Sequence, residues 1–135
     1  MNILLRKKLS ILIHLAAIDG EFANVEKSFI KEICDRNGVT GAEFEQLVRN
    51  PDPIASLGAL SYARVVEYMS DCLSLMLIDG KIRQSEVILC EDIGLRLGYQ
   101  KKHIDIVIEK LKHNLDVPNH NIIRIVEAMP HISKT

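Results

Sequence analysis

Ile18-Asp19-Gly20-Glu21-Phe22-Ala23-Asn24-Val25-Glu26 sets the architecture of this chain, because sixty residues later the sequence returns as Ile78-Asp79-Gly80-Lys81-Ile82-Arg83-Gln84-Ser85-Glu86. Each copy closes an apolar run, turns on Asp-Gly, keeps an apolar residue two places after the glycine and puts a glutamate six places after it. Working outward without gaps, Leu12–Val39 aligns with Cys72–Tyr99 at eight identities: Leu15/Leu75, Ile18/Ile78, Asp19/Asp79, Gly20/Gly80, Glu26/Glu86, Ile33/Ile93, Arg36/Arg96 and Gly38/Gly98. An internal repeat of this length reads as two copies of one supersecondary unit.

The spacing predicts an all-α fold of about seven helices. A first helix over about Ile3–Ile18 is apolar on nearly every face after Leu9, which marks it as central and buried. Gly20 supplies the left-handed residue that ends a helix at low cost, and Asn24 offers a side-chain cap for the next. That second helix, about Val25–Asn37, carries an apolar stripe of Val25, Phe29, Ile30, Ile33 and Cys34. Thr40 and Glu43 form a capping box opening a short third helix, which Pro51-Asp52-Pro53 stops. The second copy repeats the order: Ser61 to Ile78, then about Ser85–Leu97, then about Lys101–Asn114. A last helix opens near Pro118. The chain is therefore expected to form one domain over 1–135, with repeat units over about 3–50 and 61–114 and an extra helix over about 118–130. The two units are expected to bury their first helices against each other about a pseudo-two-fold axis.

Bulk properties exclude several classes of function. Seventeen basic and 18 acidic residues leave no basic footprint, so no nucleic-acid partner is expected. The apolar runs fall short of the roughly 20 residues of a membrane span. Arg6-Lys7-Lys8 ahead of an apolar run resembles a secretory signal, but residues 12–18 match residues 72–78, so this segment is read as part of the fold. Cys34, Cys72 and Cys90 are odd in number and sit in apolar helical runs, as reduced core thiols do. A cytoplasmic protein is expected. The histidines, His14, His103, His113, His120 and His131, are scattered without zinc-ligand spacing. No phosphate-binding loop or nucleophile motif is present, so no enzymatic activity is expected.

Three charged pairs survive in both copies: Asp19/Asp79, Glu26/Glu86 and Arg36/Arg96. Two readings of them stay open. In the first, a first-turn glutamate gains about 0.3–1 kcal/mol from its helix N-terminus, the aspartates hold turn amides, and the arginines pair with these carboxylates. In the second, Asp19, Glu26, Asp79 and Glu86, with Glu21 as an extra donor, converge on a divalent cation, calcium or magnesium rather than zinc, since hard ions take carboxylate oxygens. Asp-Gly-x5-Glu is also the back half of an EF-hand loop. Leu15 and Ala17, or Leu75 and Leu77, stand where its other ligands belong, so an EF-hand is excluded.

The doubled pattern of apolar helix, DGxhxxxE (h apolar) and amphipathic helix resembles the TerB family, named from tellurite resistance, and the related N-terminal domain of DjlA-type co-chaperones. The resemblance covers roughly Ile3–Leu111. It implies a compact helical fold with a metal site in the two loops, and a stress-associated binding or scaffold role. Lys81 and Ser85 depart from the most acidic form of the pattern, and no His-Pro-Asp signature accompanies it. A protein partner is expected. A homodimer is an alternative, docked through Ile122, Ile125 and Met129 of the last helix, with the carboxylates then serving only caps and salt bridges.

Overall fold

The computed structural model describes residues 1–54 and 56–133; Ala55, Lys134 and Thr135, which the domain expectation includes, lie outside the described residues. The described residues form seven helices: α1 Ile3–Ala17, α2 Asn24–Arg36, α3 Gly41–Arg49, α4 Tyr62–Leu77, α5 Gln84–Arg96, α6 Lys101–Lys112 and α7 Asn119–Ala128. The fold is all-α. No helix among these residues is long and apolar enough to cross a membrane.

The two Asp-Gly turns behave alike. Gly20 and Gly80 end their helices at φ 87° and 77°, a region that costs a residue with a Cβ about 1–2 kcal/mol. The helix that follows is capped differently from expectation. Asn24 is already inside α2, and Ala23 takes the cap position with no side chain to offer. Glu26 closes the gap by reaching back to the Ala23 amide, and Glu86 does the same for Arg83. The Thr40–Glu43 capping box forms as expected.

α1 and α4 are the centre. Leu9, Leu12, Leu15, Met69, Leu73 and Met76 are fully buried, each contributing about 1.5–3 kcal/mol of transfer free energy as an upper figure. Away from the Asp-Gly turns, the Tyr68 hydroxyl donates to the Leu4 carbonyl, and Lys8 reaches Glu67 and Asp71 in the middle of α4 at 2.9 Å each. Their ends also meet, as the site below shows, so the two helices run side by side in the same direction. The connector after α3 is pinned to α1: Arg6 holds the Asp52 carboxylate, His14 Nε2 bonds the Asp52 carbonyl, and Ser10 accepts from its amide.

α7 packs along α4 and buries Ile122, Val126 and Met129. The docking face expected there therefore loses Ile122 and Met129 to the protein's own core, and Ile125 is only partly buried. The chain then turns back at Pro130. His131 is buried beside Tyr62 and Tyr99, with Nε2 donating to the Leu97 carbonyl and Nδ1 accepting from the Ser133 amide. The three cysteines are free and buried, and burial pushes the Cys34 thiol up to about 11.

Candidate functional site

The predicted carboxylates meet where α1 and α4 end. Asp19 uses one oxygen, Oδ1, to accept from the Glu21 amide at 3.0 Å, an Asx turn that holds the loop shut. Asp79 does the same with the Lys81 amide at 3.0 Å. Both second oxygens point to one nitrogen: Arg83 Nη1 lies 3.0 Å from Asp19 Oδ2 and 3.1 Å from Asp79 Oδ2. Arg83 Nη2 reaches Glu21 at 4.0 Å, an exposed contact of little energetic weight. One guanidinium thus ties the loop of the first copy to the loop of the second.

Behind this pair lie Glu26 and Glu86, each only 2% exposed. Their first-turn positions follow from the repeat, but their burial does not. Each has one backbone N–H as hydrogen-bond partner, at 3.4 and 3.3 Å, which is long for a carboxylate. Burial is the main force raising both carboxyls to about 7. The backbone bond opposes it, and the negative charges of Asp19 and Asp79 add to it in both cases. Glu86 also feels Glu26, so the two sites titrate as a linked pair. All four expected ligands are therefore gathered in one electrostatic neighbourhood around Arg83, with Glu21 at its open rim.

Arg83 is the member of this centre that the sequence did not disclose. Its counterpart in the first copy is Ala23, so the identities pass over it. The signal available was the asymmetry itself, with Lys81 and Arg83 in the second loop where the first has Glu21 and Ala23. Arg36 and Arg96, which were expected to pair with these carboxylates, are elsewhere. Arg96 holds Asp92 and the Ile54 carbonyl, while Arg36 lines a separate cleft. Both sit in the last turn of their helices, α2 and α5, a full helix away from the acidic first turns.

The donor chemistry suits a hard divalent cation, since four carboxylates from two loops and the helix turns that follow them can supply the oxygens such ions take. The present arrangement is set around a guanidinium instead. Among the described residues, no group of three or more His, Cys, Asp or Glu side chains is arranged to hold a metal ion. A cation would need the space between Asp19 Oδ2 and Asp79 Oδ2 that Arg83 Nη1 now fills.

Comparison with protein-family models, with curated proteins and with solved structures finds no match for this chain.

Proposed function

We propose that the protein is a non-enzymatic, TerB-like binding module, stress-associated as the resemblance implies, whose inter-loop acidic centre takes up a divalent cation in competition with its own Arg83. The observation that carries this reading is the pair of buried glutamates. Two carboxyls at 2% exposure, each with a single long amide bond, are expensive to keep charged, and one guanidinium shared by two aspartates leaves the centre net negative. Calcium or magnesium would satisfy Asp19, Glu26, Asp79 and Glu86 once Arg83 swings out to solvent, where its side chain is already 32% exposed. Cation uptake would then join the two loops more tightly than the guanidinium does, and would change the surface that a protein partner meets.

A second reading has its own support. Every one of the four carboxylates already accepts from a backbone amide, and Arg83 balances part of the charge. The centre is then purely structural, and the protein is an interaction module or homodimer without a metal.

Titration calorimetry with Ca²⁺ and Mg²⁺ separates the two. Replacing Arg83→Ala removes a charge-assisted pair that any cation must displace, so this variant should bind at least about tenfold more tightly than the unmodified protein. Asp19→Asn/Asp79→Asn added to it should abolish the heat. No binding at millimolar ion by Arg83→Ala retires the metal reading in favour of the structural one, and light scattering at tens of micromolar then reports whether the species is the 15.2 kDa monomer or a dimer.

A further inference from the structure

At the opposite end from the acidic centre, α1, α2, α4 and α7 leave a polar cleft of about 570 Å³, within the range of small-molecule sites. Its floor is α4. Ser70 lines it, is 1% exposed, and has a hydroxyl with no hydrogen-bond partner. Buried polar groups are ordinarily bonded, and a hydroxyl left without a partner in the wall of a cleft is a group that a ligand or water can satisfy.

The walls carry charge. Lys8 is buried to 7% exposure and is held by Glu67 and Asp71 at 2.9 Å. Burial alone would lower its ammonium, yet Asp71 and Glu67 hold it above its ordinary value. Arg64 also contacts Glu67, at 3.0 Å. Two carboxylates thus face two cations and are balanced. Arg36 is left over. It stands on the same cleft, with Asp71 near enough to feel its charge but not in contact. Its twin Arg96 is occupied by Asp92 and the Ile54 carbonyl, so the arginine kept in both copies has a structural partner in only one. The starts of α1 and α4 open onto the same space through Asn2, Ala63 and Arg64, and helix N-termini favour negative charge.

We propose that this cleft binds a small organic molecule through an anionic group, carboxylate or phosphate, with Arg36 supplying the charge and Ser70 the buried hydrogen bond. A net surplus of one positive charge selects an anion rather than a cation, and the unfilled hydroxyl is free to donate to it. The room around them takes a molecule of metabolite size. The site shares no residue with the acidic centre, and its existence is independent of whether that centre holds a metal.

The test is ¹H–¹⁵N NMR titration of the full chain with acetate and, separately, with inorganic phosphate at constant ionic strength. Saturable shifts confined to residues around Arg36, Ala63 and Ser70 are expected for at least one of the two anions, and the anion that saturates identifies the group recognised. Arg36→Gln should weaken that binding about tenfold or more, as loss of a charged hydrogen bond does. Ser70→Ala should weaken it severalfold without lowering thermal stability, because the hydroxyl has no partner in the free protein. Arg96→Gln is the control and should leave the affinity unchanged. The proposal is overturned if neither anion gives a saturable shift at tens of millimolar, or if Arg36→Gln and Ser70→Ala titrate like the unmodified protein.

Discussion

Glu26 and Glu86 bring together the cost and the use of this fold. Their placement in the first turn is written in the repeat, but an exposed and a buried first-turn glutamate have the same sequence signature. Only the docking of one loop against the other removes both from water. The consequence is a stability that depends on pH with a definite sign. An unfolded glutamate releases its proton near 4.5, and these two hold theirs to about 7 when folded. Their contribution is therefore fully present below about 4.5 and is lost as pH rises through about 7. Thermal unfolding between about pH 5.5 and pH 8 should show the midpoint falling with pH, corresponding to a loss of stability on the order of 2 kcal/mol per carboxyl. Glu26→Gln/Glu86→Gln should flatten the slope and stabilise the protein at the alkaline end. A midpoint that stays level or rises across this window would show that the pair is not held protonated by burial. Arg83 was hidden for a different reason. In the sequence it is one more loop arginine ahead of α5, and its role appears only when the second loop is set beside the first.

Among the elements, the helices were legible to within about one or two residues, best where apolar periodicity and a glycine stop agree: α1 and α4 each close at an Asp-Gly turn, α2 at Gly38 and α5 at Gly98. The segment after α7 was not. Pro130 to Ser133 shows no periodicity, and its role rests on the fit of one ring against one glycine. A Cβ on Gly98, whose φ is 101°, would lie 2.7 Å from His131 Nε2 and 2.9 Å from Ile132 Cγ2. Gly20, at φ 87°, has open space where its Cβ would be. Both glycines replaced by alanine should lose about 1–2 kcal/mol to the left-handed backbone. Gly98→Ala should lose roughly 1 kcal/mol more by dislodging His131 from the Leu97 carbonyl. Urea unfolding of the two variants side by side measures the difference, and equal losses would mean that the His131 contact contributes nothing.

At the scale of the molecule, the pairing of α1 with α4 was foreseeable, since two helices without a polar face must hide in each other. What was not foreseeable is the chemistry at the two ends of that pair. Lys8 lies outside the aligned repeat, and its burial against Glu67 and Asp71 follows from how α1 and α4 lie together. A fragment of residues 1–50, which holds α1 without α4, should show little cooperative structure by circular dichroism, whereas the intact chain should unfold in one transition. A folded, monomeric fragment would refute the mutual burial of α1 and α4. The same arrangement also sets a timetable for synthesis. The apolar stretch Leu9–Ala16 leaves the ribosome first, while its partners Met69, Leu73 and Met76 follow more than fifty residues later. At about 5–20 residues per second the nascent chain carries an unshielded greasy helix for several seconds, and in that interval, rather than in the finished protein, lies its greatest exposure to aggregation.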